Sequence, residues 1–249
     1  MRALLASSLV AWTMAGASLI PAAGASPDAP SGAPAAAPLP TPRPDGAAPA
    51  VSATPPEPPA PSPPSMADCR RQLAARGARF EPAEPPEPAG TCAVTDPVRL
   101  RAIADGSLTI DLPDRPLLSC AFALVLTGFS RDLIIPLARA MAAGGLVAFG
   151  TGPGYACRPR NREAGARPSA HGRGEAIDIS WFVLADGRRV QVGEAAADPA
   201  AARFVGTVRR AACGWFTTVL GPGADAAHAD HLHLDIERRG RSGDHRLCQ

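Results

Sequence analysis

The segment His228-Ala229-Asp230-His231-Leu232-His233-Leu234-Asp235-Ile236 carries a two-residue period. Successive side chains of a β-strand point to opposite faces. His231, His233 and Asp235 therefore share one face, and Leu232, Leu234 and Ile236 share the other. One face can be buried while the other lines a cleft. Upstream, Ser169-Ala170-His171-Gly172-Arg173-Gly174-Glu175-Ala176-Ile177-Asp178 runs into a second alternation, with Ala176, Asp178 and Ser180 set against Ile177, Ile179 and Trp181. Two such strands side by side bring Asp178 and His233 within metal-ligand distance. His171 reaches the same point through Gly172 and Gly174, which permit a tight backbone path.

Four of the five histidines lie in these two segments. Two imidazoles and one carboxylate, with a fourth position left to water, form the ligand set of a catalytic zinc site, where Zn2+ acidifies water and polarises a carbonyl. The residues alone leave a second reading open, that of solvated surface groups or a hydrogen-bonded polar cluster. Glu175 falls on the face opposite Asp178 and is not expected to act as a base. His245, beside Arg246, reads as a surface residue.

Working outward, Pro97 to Gly106 reads as a short apolar segment and Leu108 to Leu112 as a strand. Leu118 to Leu126 and Leu133 to Ala143 have helical spacing, the second stopped by Gly144-Gly145. Leu146 to Phe149 reads as a buried strand, and Arg158 to Arg167 as a charged loop. Asp198 to Cys213 places Ala201, Phe204, Val205, Val208 and Ala212 on one helical stripe. Phe216 to Leu220 is strand-like before the turn Gly221-Pro222-Gly223. The expected fold is α+β: a small antiparallel sheet carrying the metal site, flanked by helices and stapled by disulfides.

The N-terminal quarter has a different composition. Arg2, the apolar run from Ala3 to about Ile20 and the small residues Ala22-Ala23-Gly24-Ala25 read as a secretory signal over residues 1–25. Residues 26–66 are almost wholly Pro, Ala, Ser and Gly, a composition expected to stay disordered as a linker. Either it is a spacer that lets the domain reach through a cell-wall mesh or it is a by-product of base composition. Residues 67–249 are then one domain. They hold all six cysteines, which in an exported chain predicts three disulfides. Pairing is not fixed by sequence, although Cys69 and Cys248 sit where a bridge would tie the termini. No Cys-x-x-Cys pair argues for a thiolate metal site. A net charge of +2 without a basic, aromatic-interleaved stripe gives no case for nucleic acid, and nothing speaks to oligomeric state.

Ser169 to Asp178 resembles the S-x-H-x-x-G-x-A-x-D motif of the zinc D,D-peptidases, the superfamily of D-alanyl-D-alanine carboxypeptidases, murein endopeptidases and hedgehog signalling domains. His231-x-His233 resembles its downstream H-x-H. Taken with Gly154-Tyr155-Ala156-Cys157-Arg158 and His228-x-x-His231-x-His233-x-Asp235, most of Cys69 to Cys248 is similar to the extensin-like C-terminal domain of exported bacterial proteins. The resemblance implies that His171, Asp178 and His233 bind Zn2+ and that His231 is the base or a transition-state stabiliser. Relatives with an E-x-x-H motif carry a catalytic Glu where this chain has Asp230, which leaves both residues as candidates. It further implies that Ser169 contacts substrate and that Arg158 steadies an oxyanion. In many relatives Tyr and Arg are adjacent; here Ala156 and Cys157 intervene. His228, Asp230 and Asp235 are candidates to orient a ligand imidazole, and His228 also to contact substrate. The expected function is a periplasmic or envelope zinc peptidase acting on peptidoglycan peptides. The alternatives are a non-catalytic zinc-containing envelope module and an adhesin whose Pro-rich arm carries the function.

Overall fold

A computed structural model describes residues 66–87, 91–106, 108–141, 145–243 and 245–249. The expected signal (1–25) and linker (26–66, apart from Met66) lie outside the described residues. So does Gly144, half of the expected helix stop.

In chain order the elements are α1 (Met66–Ala75), β1 (Ala78–Pro82), β2 (Pro97–Asp105), β3 (Leu108–Asp111), β4 (Leu117–Ser119), α2 (Cys120–Phe129), α3 (Ile135–Met141) and β5 (Leu146–Gly150). There follow β6 (Ala176–Ile179), β7 (Trp181–Leu184), β8 (Arg189–Gln191), α4 (Pro199–Ala212), β9 (Thr218–Leu220), β10 (Leu232–Asp235) and β11 (Leu247–Cys248). The architecture is α+β, but it holds two sheets where one was expected. A seven-stranded sheet runs β1-β2-β3-β5-β7-β8 with β4 also on β2, and a four-stranded sheet runs β11-β9-β10-β6. The small sheet is not wholly antiparallel, since β11 lies parallel to β9.

The larger sheet was hidden because its longest strand reads poorly. Pro97 to Asp105 looks like a short apolar segment, yet Val98 and Leu100 are fully buried while Arg99 and Arg101 are exposed, which is ordinary strand alternation interrupted at Ala102-Ile103. Leu118 and Ser119, the first residues of the expected helix, instead end the short strand β4. Ser119 then caps α2, its hydroxyl accepting from the Phe122 N–H at 3.2 Å. Between α2 and α3 the helix continues as a π turn over Ser130–Ile134, in which the Ile135 N–H returns to the Ser130 carbonyl. Pro136 follows directly and has no N–H to give to Asp132, which accounts for the widening. In α4, Asp198 caps the N-terminus at 2.8 Å with Pro199 in the first turn. The buried stripe is the expected one: Ala201, Phe204, Val205, Val208 and Ala212.

One contiguous core joins both sheets. Phe129 of α2 meets Phe216 edge-on at 5.1 Å, and Phe182 of β7 meets Phe204 of α4 at 5.2 Å. Ile177, Ile179, Leu232 and Leu234, the apolar backs of β6 and β10, are fully buried in the same core. Trp181 does not extend that apolar back as expected. The chain passes at Ser180 from the small sheet to the large one, and Trp181 lies half-buried with the Arg189 guanidinium 4.0 Å above its ring.

All six cysteines are paired: Cys69–Cys120, Cys92–Cys157 and Cys213–Cys248. The Cys69–Cys248 staple suggested by position is not formed. Each terminus is instead fastened locally, α1 to the start of α2 and β11 to the end of α4.

Candidate metal centre

β10 pairs with β6 so that His233 stands opposite Asp178, Leu232 opposite Ile179 and Leu234 opposite Ile177. Directly opposed residues project to the same face, so burying the leucines and isoleucines turns His233 and Asp178 together to the other side. His171 arrives on a 3-10 turn (Ala170–Arg173). Gly174 ends that turn at φ 63°, and a Cβ there would come within 2.7 Å of the Ser119 nitrogen. Glycine thus lets the chain double back into β6.

Three donor atoms converge. His233 Nδ1 lies 2.9 Å from Asp178 Oδ1, and His171 Nε2 lies 3.2 Å from both. Donors about 2.0–2.1 Å from a tetrahedral zinc stand about 3.3 Å from one another, so this triangle matches one face of such a tetrahedron. The outer nitrogen of each imidazole is occupied. His171 Nδ1 donates to the Gly154 carbonyl at 2.6 Å, and since a carbonyl only accepts, the lone pair of Nε2 points inward. His233 Nε2 donates to Asp235 Oδ2 at 3.2 Å. Asp235 is itself fixed, its Oδ1 accepting from Thr217 Oγ1 and the Glu237 N–H, with Arg239 3.7 Å from Oδ2. Such outer partners orient metal-binding imidazoles. A second grouping, Cys69, Asp96 and Cys120, has its two sulfurs in a disulfide.

Without an ion the cluster is a strongly coupled set of charges. Burial opposes charge on His233, but its hydrogen bonds to Asp178 and Asp235 outweigh burial and lift it to about 9. Burial likewise opposes ionisation of Asp178, and the two imidazoles overcome it, holding the carboxyl well below the usual carboxylate range. Asp235 is lowered against burial by the same partner, His233.

The cluster opens into a cleft of about 560 Å³ lined by Arg158, Arg162, His228, Asp230 and His231 among others. His231 turns Nε2 toward the cluster, 3.5 Å from Asp178 Oδ1, while Nδ1 bonds at 2.9 Å to Asp230 Oδ1. His231 thus faces the site and Asp230 stands behind it. Arg158 lies 3.9 Å from Asp178 Oδ2. His228 is buried, its Nδ1 on Asp225 Oδ1 at 2.6 Å and its ring 5.3 Å from that of His231 and 5.6 Å from that of His233. Ser169 does not line the cleft. It is buried beside a second, smaller pocket that shares His228 and His233 with the cleft, and its hydroxyl accepts from the His171 N–H at 3.4 Å. Glu175 points away, onto Arg173 at 2.7 Å.

Three participants had no mark in the sequence reading, Asp225, Thr217 and Arg239, and Gly154 stood there only as part of a motif, without a role for its carbonyl. Asp225 carried a findable signal, an Asp three residues before a histidine at the start of a turn it caps. The others act through tertiary contacts and leave no local pattern.

Fold and cluster together define a disulfide-stapled α+β domain with a candidate metal centre between two paired strands. Residues 67–249 match the family model described as extensin-like protein C-terminus, and the chain belongs to that family. No match was found among curated proteins or among solved structures.

Proposed function

We propose that this chain is an exported zinc-dependent hydrolase related to the D,D-peptidases, cutting a peptide bond in peptidoglycan stem peptides or cross-links. One observation carries the reading: two imidazole nitrogens and one carboxylate oxygen lie 2.9–3.2 Å apart with their outer atoms already oriented, at the floor of an open cleft. His171, Asp178 and His233 would hold the ion. When bound, zinc supplies Lewis acidity, polarising a carbonyl and making water acidic near neutral pH.

The chain's own groups divide the remaining work. Asp230 accepts from His231 Nδ1, which leaves Nε2 to take a proton at the cleft and return it to the leaving amine. Arg158, beside Asp178 Oδ2, donates to the oxygen that gains charge as the carbonyl is attacked. His228 lines both the cleft and the smaller pocket beside it, and its ring packs against those of His231 and His233. Ser169 acts by fixing the turn that carries His171. Its burial argues against the substrate contact that family resemblance implies.

Metal analysis of the purified protein and digestion of peptidoglycan test this together. One zinc per chain is expected, abolished by His171→Ala. His231→Ala should keep its zinc and lose roughly 10²- to 10⁴-fold in turnover. Stoichiometric zinc with no muropeptide released from cross-linked or uncross-linked wall would instead identify a non-catalytic envelope module. Absence of zinc would refute the centre itself.

A further inference from the structure

A cleft of about 920 Å³ lies away from the candidate metal cluster on the outer face of the seven-stranded sheet. Its floor is one row of side chains across four strands. Arg79 of β1 stands opposite Ala102 of β2, Ala102 opposite Asp111 of β3, and Asp111 opposite Ala148 of β5. With about 4.8 Å between strands, the row is about 14 Å long, the reach of a short oligosaccharide. A register shift sets Arg79 against Ala102 but Phe80 against Leu100, leaving Arg101 as the extra residue of a β-bulge. Leu100 and Ile103 are buried inward, and between them Arg101 and Ala102 both line the groove.

Arg115 closes one end from a turn in which its φ is 45°. That turn is pinned by its neighbour Asp114, whose Oδ2 accepts from the N–H groups of Thr151 and Gly152 at 2.7 and 3.2 Å. Arg101 is paired with Glu81 at 2.6 Å. Arg79 and Arg115 have no ion-pair partner among the described residues, nor has Asp111. Two guanidinium forks are therefore open to an oxyanion. The unpaired Asp111 carboxylate in the same groove disfavours a bare anion but accepts from hydroxyls, and Ala102 and Ala148 leave a flat apolar patch on either side of it. An anionic group, several hydroxyls and a flat apolar face occur together in an acidic sugar.

We propose that this groove binds an acidic saccharide, its carboxylate or phosphate held by Arg79 or by Arg115 and its hydroxyls by Asp111. None of these residues lines the metal cleft, so the site stands or falls independently of the hydrolase reading.

The test is an amide NMR titration of the full chain with glucuronic acid, glucose 1-phosphate, glucose and inorganic phosphate. Binding by either acidic sugar, with shifts centred on Arg79, Ala102, Asp111 and Arg115, is expected, and which of the two binds tells carboxylate from phosphate. Affinity should fall as salt is raised. It should drop at least tenfold in the Arg79→Ala/Arg115→Ala double variant and in Ala102→Leu, which fills the floor without changing charge. Asp111→Asn should weaken acidic sugar but not inorganic phosphate. The proposal is overturned if neither acidic sugar shifts these amides at millimolar concentration. It is equally overturned if glucose or inorganic phosphate binds as tightly as the acidic sugars, or if the variants leave affinity unchanged. Metal content and melting temperature of each variant confirm that only the groove was altered.

Discussion

Without a metal, His233 is a cation held between two carboxylates, and that has a signed consequence for stability. Its folded-state value of about 9 stands above the unfolded 6.5. The stabilisation is therefore complete below pH 6.5 and is lost as pH rises through 9. About 3 kcal/mol is at stake, from 1.36 kcal/mol per pKa unit. Asp178 and Asp235 have the opposite sign: their values lie below 3.8, so their contribution is present above 3.8 and is lost as pH falls through the lowered values. Chelator-treated protein should thus melt at progressively lower temperature between pH 6.5 and 9.5. The zinc-loaded form should lose this alkaline slope, because the ion replaces the His233 proton and binding releases it. A flat profile for the chelated protein would contradict the charge assignment. At the same scale, Asp235→Ala removes the acceptor that orients His233 while sparing all three proposed ligands. Metal affinity should fall 10- to 100-fold, read by chelator competition.

Strand alternation made β6 and β10 legible. The face shared by Asp178 and His233 follows from where the leucines and isoleucines fall, and the observed register places the two residues opposite each other. Helix α4 was legible for a similar reason, its stripe being continuous and its cap an Asp before a Pro. What stayed hidden depended on contacts distant in sequence. The bulge at Arg101 broke the period of β2, Trp181 looked like one more apolar position although it belongs to another sheet, and Ser169 points inward because the turn it caps requires its hydroxyl. Gly174 is where element and site meet. Gly174→Ala places a side chain at φ 63°, costing roughly 1–2 kcal/mol for the left-handed conformation. The approach to the Ser119 nitrogen adds to that. Denaturant midpoints should fall accordingly, and zinc affinity should fall as well, because the turn it terminates carries His171.

Across the whole molecule the three disulfides do different jobs, and their pairing was beyond sequence because it records which distant loops meet. Cys92–Cys157 links chain positions 65 apart and adjoins the site on two sides. Cys157 precedes Arg158, and a Cβ on Gly172 would lie 2.9 Å from Cys92 Sγ. Cys213–Cys248 ties down only β11. Replacing either pair by alanine should cost roughly 2–5 kcal/mol, seen in denaturant titration without reductant. Only loss of Cys92–Cys157 should also lower metal occupancy and turnover. Equal effects on occupancy from both would show that general stability, rather than local bracing, governs the centre.

The passage at Ser180 bears on how the molecule opens over time. Asp178 and the first residue of β7 are three positions apart on one unbroken chain, and the Ser180 N–H bonds to the Gly150 carbonyl of β5 at 3.0 Å. No slack separates the strand that carries Asp178 from the sheet that carries most of the core. The Ser180 amide proton should therefore exchange with deuterium only on the slow clock of global unfolding, and the centre and the fold should open as one event.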